Sequence, residues 1–119
     1  MIRIITDSTA HFVDSDFPRK HDITVVPLTI NFGKKIFKEG VDISSEDFFQ
    51  RIAESGEMPT SVAPAVGEFS KIYNRLLKEG DEIVSIHISS KLSQTLSNAQ
   101  TASTPYMGRN KLHLVDSLT

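Results

Sequence analysis

There is no cysteine among these 119 residues, and no tryptophan. Without cysteine the chain has no disulfide, no thiolate nucleophile and no sulfur ligands for a metal, and a reducing compartment, the cytoplasm, is the expected one. An excess of positive charge is missing too. Lys and Arg number 13 against 15 Asp and Glu, a formal charge of -2. No basic stripe is available to neutralise phosphates, so nucleic acid is not an expected partner. Long apolar runs are lacking: the opening Met1-Ile2-Arg3-Ile4-Ile5 is too short for a signal peptide, and no run reaches the roughly 20 residues of a membrane helix. Repeats and low-complexity linkers are also absent. Signatures of catalysis fail likewise, with no Gly-x-Ser-x-Gly elbow, P-loop, Gly-x-Gly-x-x-Gly or metal-ligand spacing of His, Asp and Glu. No catalytic residue, metal or cofactor is therefore expected. What is left is 39% hydrophobic and 24% charged, the composition of one globular domain able to build a core.

The informative stretch is Ile83-Val84-Ser85-Ile86-His87-Ile88, followed by Ser89-Ser90-Lys91-Leu92-Ser93-Gln94-Thr95. The β-branched apolar run predicts a buried strand, and the spacing Leu92, Leu96, Ala99 predicts a helix that stops before Pro105. The strand thus hands hydroxyls to a helix start, whose unpaired N–H groups and partial positive charge suit a carboxylate or phosphate. The same hydroxyls can equally do no more than cap the helix. Two other apolar runs end alike: residues 2–5 in Thr6-Asp7-Ser8-Thr9, and residues 112–115 in Asp116-Ser117. Strands that alternate with helical patterns predict an α/β fold with a mainly parallel sheet flanked by helices, and such sheets bind ligands outside their carboxyl ends.

The rest of the chain supplies the frame. Residues 12–20 predict one short helix, limited by Pro18 unless that proline lies in its first turn. Residues 23–32 read as a strand broken at Pro27, and Asn31-Phe32-Gly33-Lys34-Lys35 as a hairpin turn into Ile36-Phe37-Lys38. Ser44 predicts an N-cap, with Ile43 stapled to Phe48; Phe48, Phe49, Ile52 and Ala53 form the apolar face of a helix ending by Gly56. Residues 57–65 predict a stiff two-proline loop that holds Thr60 and Ser61. Val66, Phe69, Ile72, Tyr73, Leu76 and Leu77 trace an amphipathic helix closed by Gly80. His87 reads as a neutral core histidine with a backbone partner, and Asp7 as a turn residue bonding local N–H groups.

The segments Ile4-Ile5-Thr6-Asp7-Ser8-Thr9-Ala10, Val26-Pro27-Leu28, Gly40-Val41-Asp42-Ile43-Ser44, Gly67-Glu68-Phe69, Ser85 to Ser93 and Val115-Asp116-Ser117-Leu118 resemble the DegV family, in order and over the whole length. The resemblance implies a cytoplasmic bacterial protein of two α/β domains that binds a long-chain fatty acid between them. It also implies, for some members, presentation of the acyl carboxylate to a separate ATP-dependent fatty-acid kinase. Carried over on the shared Gly67-Glu68-Phe69, the carboxylate-holding hydroxyls fall at Ser61 and Ser93, with Thr60, Ser90 and Thr95 as support. The chain departs from the family at Val62, Ala63 and Ala65, where Ser, Gln and Ser are usual, at Gln94 in place of a common glycine, and at Ala10-His11. It stops about where the second domain begins, so residues 1–119 are expected to be the N-terminal domain alone.

A fatty-acid-binding protein, not an enzyme, is the expectation. Its rival is a small metal-dependent phosphotransferase or hydrolase using the strand-end Asp7 or Asp116. A structural half-domain that pairs with its own copy is a third reading.

Overall fold

The computed structural model describes residues 1–10, 12–14, 16–106 and 111–119, with only the backbone at Ser45. His11, one of the family departures, lies outside the described residues. The chain runs β1 (Ile2–Asp7), α1 (Phe17–Lys20), β2 (Ile23–Val26), β3 (Thr29–Phe32), β4 (Lys35–Lys38), α2 (Ser45–Ser55), β5 (Thr60–Val62), α3 (Val66–Lys78), β6 (Glu82–His87), α4 (Thr95–Ser103) and β7 (Leu112–Asp116).

Strands β2, β1, β6 and β7 lie side by side in that order, and every pairing is parallel. The fold class read from the sequence is therefore the observed one. Counting only these four, the order is 2-1-3-4, which places the topological switch point between β1 and β6. Open α/β sheets leave a crevice at that point, outside the carboxyl ends of the strands.

Alternation decides which face of the sheet is dry. Ile5 and Asp7 of β1, and Ile83, Ser85 and His87 of β6, are buried. They meet Phe69, Tyr73 and Leu76 of α3 and Ala99 and Ala102 of α4. Burying side chains such as Phe69 and Ile83 contributes about 1.5–3 kcal/mol each. The intervening residues turn to the opposite face, where Ile2 is 61% exposed, Ile4 38% and Val115 41%. An all-parallel sheet is ordinarily covered on both sides. This one is packed well on only one.

Pro27 breaks the strand signal, and the break separates two sheets. Residues before it pair in parallel with β1; Thr29–Phe32 pairs antiparallel with β4 and β5 in a sheet of order β4-β3-β5. A Gly33-Lys34 turn joins β3 to β4, and Gly33 has φ +57, a conformation that favours glycine. Helix α2 covers this small sheet, packing Phe48 and Ile52 on Ile30, Phe32 and Ile43. Ser44 caps it through the Asp47 N–H (3.2 Å), and Gly56 ends it with φ +67.

Three expectations need adjustment. The helix expected within residues 12–20 is only one turn, with Pro18 in that turn. Phe49 does not face the core; it is 66% exposed and packs edge-on against Phe48, because one step along a helix turns the side chain through about 100°. Residues 57–65 are not all loop. Thr60–Val62 adds a short strand to the open edge of β3, as β-branched residues between prolines can where a partner edge is free.

Candidate functional site

The switch point is built around Asp7. Its side chain is fully buried at the end of β1. Its Oδ1 accepts from the Thr9 N–H (2.9 Å) and the Thr9 hydroxyl, and its Oδ2 accepts from His87 Nδ1 (2.9 Å) and the Ile88 N–H (3.3 Å). The local turn expected of Asp7 is present through Thr9. The two contacts that tie it to β6 are not legible in sequence, because the partners lie about eighty residues away. Burial pushes the Asp7 carboxyl up, but the hydrogen bonds from His87, Thr9 and Ile88 together outweigh it and hold the pKa below the ordinary 3.8.

Behind Asp7 runs a buried polar chain. Nε2 of His87, whose Nδ1 faces the carboxylate, shares a hydrogen bond with the Ser85 hydroxyl (2.5 Å). Ser85 Oγ shares a second hydrogen bond with the Tyr73 hydroxyl (2.8 Å). His87 is thus a core histidine as expected, but its partners are side chains rather than backbone. Burial pushes the Tyr73 phenol up to about 12, against the opposing hydrogen bond with Ser85. Ser85, His87 and Asp7 have the connectivity of a nucleophilic triad. Access is missing: Ser85 has no exposed surface, so no substrate carbonyl can approach it.

The carboxyl end of β6 delivers the predicted hydroxyls. Ser93 is half-buried beside the start of α4, and its Oγ accepts from the Thr95 N–H (3.2 Å) and shares a hydrogen bond with Thr95 Oγ1 (2.8 Å). Ser93 thus stands one residue before the N-cap, Gln94, and accepts from the first N–H of α4. Thr95 is fully buried beneath it. Ser90 goes elsewhere, bonding to Asp116 Oδ2 at the end of β7 through its hydroxyl (3.1 Å). The Leu118 N–H, then Ser90 and Lys91, hold the Asp116 carboxyl below its ordinary pKa. Gln94 has φ -78 and an exposed side chain, so its backbone has no need of glycine.

Thr60 and Ser61 lie on β5. Register pairs Ser61 with Ile30 and Thr60 with Asn31, so the two side chains take opposite faces of the small sheet. Ser61 shares its face with Ile30, and neither hydroxyl has a hydrogen-bond partner among the described residues. The structure brings Ser93 and Thr95 together, links Ser90 to Asp116, and separates Thr60 from Ser61.

A cavity of about 460 Å³ opens between the carboxyl ends of β1 and β2 and the first turn of α2. Phe12, Val25, Pro27, Ile30, Phe48 and Phe49 give it a mainly apolar wall, with Ser8, Ser44 and the carboxylate of Glu39 as polar points. That volume lies within the ordinary range for small-molecule sites. Sequence reading found the phenylalanines but not the cavity, since its walls come from four separated segments. Among the described residues no group of three or more His, Asp or Glu is placed to hold a metal, and no helix is long and apolar enough to cross a membrane.

Comparison with known proteins gives one answer throughout. The family model described as "Uncharacterised protein, DegV family" matches residues 1–119. A DegV domain-containing protein from Halalkalibacterium halodurans is 43% identical over 102 residues, covering 85% of this chain and 36% of its own length. A DegV family protein from Thermus thermophilus, described for fatty acid binding, superposes with a TM-score of 0.83 at 33% identity, over 97% of this chain and 40% of that one. DegV from Bacillus subtilis, described as a fatty acid binding protein, gives 0.82 at 29% identity, over 95% and 39%. The chain therefore spans well under half the length of the relatives it matches.

Proposed function

This chain belongs to the DegV family, and from that membership we propose that it binds a long-chain fatty acid as the N-terminal α/β domain of a longer, two-domain cytoplasmic protein. The observation that carries the reading is the mainly apolar cavity at the carboxyl ends of β1 and β2. Thr60, Ser61, Ser90, Ser93 and Thr95 are not among its lining residues, and Ser93 lies beyond the carboxyl end of the neighbouring β6. Alkyl chain enters such a cavity because each buried CH₂ is worth ~0.8 kcal/mol, while hydroxyls fix the head group. Ser93 and Ser61 hold the carboxylate, and Thr95 orients Ser93 from below. Thr60 and Ser90 support the site indirectly, through the β5 edge and the Asp116 link. The protein then presents the exposed acid to an ATP-dependent fatty-acid kinase rather than reacting itself.

Support against the enzymatic alternative comes from Asp7. Four donors converge on its two oxygens and no surface of it is exposed. A role as nucleophile or metal ligand requires that arrangement to break.

The test is palmitate binding by the full native protein and its Ser93→Ala variant, with the co-purified lipid identified by mass spectrometry. Loss of a hydrogen bond to a charged head group is expected to weaken binding about tenfold or more. Equal affinity in the two proteins, or no fatty acid in the extract, contradicts the reading.

A further inference from the structure

Ser61 and Ser93 belong to segments that share no strand pairing, and something must fix the distance between them. We propose that Asn98 is the positioning residue that does so; the inference rests on the head-group reading above. Asn98 Nδ2 donates to the Pro64 carbonyl oxygen at 2.9 Å. This is the only hydrogen bond between residues 57–66 and residues 88–104 among the described residues. Pro64 is fully buried, three residues after Ser61, and Asn98 lies in the first turn of α4, five residues after Ser93. One side chain thus clamps the loop that leaves β5 to the helix that follows Ser93.

The placement is not what helix formation alone selects. Asparagine is a poor residue for a helix interior because its amide competes for backbone hydrogen bonds. Here the amide is turned away from its own helix and onto another segment's carbonyl. A buried carbonyl left without a donor is unfavourable, so the bond also holds Pro64 in place. Leucine at this position matches the volume and removes the donor. Aspartate keeps the shape and sets a carboxylate against the carbonyl.

The experiment compares palmitate with hexadecanol, which keeps the chain and lacks the carboxylate, on the full native protein. Asn98→Leu and Asn98→Asp are expected to lower palmitate affinity about tenfold while changing hexadecanol affinity less than about twofold. Asn98→Ser, a residue α4 already carries at Ser97 and Ser103, is the milder variant should either of the others fail to fold. A purely structural asparagine lowers both affinities together, and that outcome overturns the proposal, as does an unchanged preference for the acid. Ser93→Ala separates the two layers. If it leaves the preference for the acid intact, the head-group reading falls and this inference with it; if it abolishes the preference while the Asn98 variants do not, only the inference falls.

Discussion

Four donors point at the carboxylate of Asp7. Replacing it with asparagine turns one oxygen into an N–H₂ group that must face donors. Asp7→Asn is expected to destabilise the fold by about 2–4 kcal/mol, read as a lower urea midpoint with an unchanged slope. The pH dependence has a definite sign. The folded pKa lies below the ordinary carboxylate value of 3.8, so the Asp7 contribution is complete above that value and is lost as pH falls through the folded pKa. Acid titration of wild type and Asp7→Asn should therefore show stabilities that converge at low pH. At this scale the sequence was only partly legible. Ser93 and Asp7 stand out as hydroxyl and acid at strand ends, but the partners of Asp7 depend on which strands become neighbours. Asn98 carried one faint signal, an asparagine in a helix with little else to recommend it.

Among the elements, α3 is the longest helix, and like α4 it starts without a side-chain cap. Its N-cap is Ala65, in the extended conformation a capping residue needs but with no side chain to accept a hydrogen bond. The resemblance marks this same position as one where the family usually has serine. Ala65→Ser creates the pattern Ser-x-x-Glu with Glu68 and is expected to raise stability by ~1 kcal/mol, measured by thermal or urea unfolding. No gain would mean that the Lys38–Glu68 ion pair (2.9 Å) already holds that turn. Periodicity located α3 well because it has a buried face and a glycine stop. The apolar face of α2 is only half-buried, and in α4 Leu96 and Ala99 are buried while Leu92 lies before the helix and is 69% exposed. Periodicity missed β5 because three residues are too few for a period, and a strand so short forms only where β3 offers its edge. Pro27 was visible as a break, whereas the change of sheet it allows is a tertiary fact.

On the scale of the molecule, the uneven sheet is the leading feature. Rows such as Ile4 beside Ile23 and Val84, and Thr6 beside Val25, Ile86 and Val115, give one face a mostly apolar surface that α3 and α4 leave uncovered. Under the two-domain reading, the remainder of the protein supplies the cover. The 119-residue chain is then expected to bind more of a hydrophobic dye such as anilinonaphthalene sulfonate than the full native protein does, with faster amide exchange in β1 and β7. Equal dye binding and equal exchange would falsify that assignment. The alternation of apolar strand-like runs with helical patterns announced an α/β sheet from sequence; that one face stays largely uncovered required knowing the register. The parallel pairing of β1 with β6 has a further consequence, one of time. The residues at its centre, Ile4 and Val84, are separated by about two thirds of the chain, and nothing local can bring them together. The β3–β4 hairpin closes across two residues and can form early, while β1, which has β2 as a nearer partner on one side, must wait for its other edge to be covered until β6 has been synthesised. The carboxylate of Asp7 joins His87 only when that late closure is made, so the site is among the last parts of the chain to take shape.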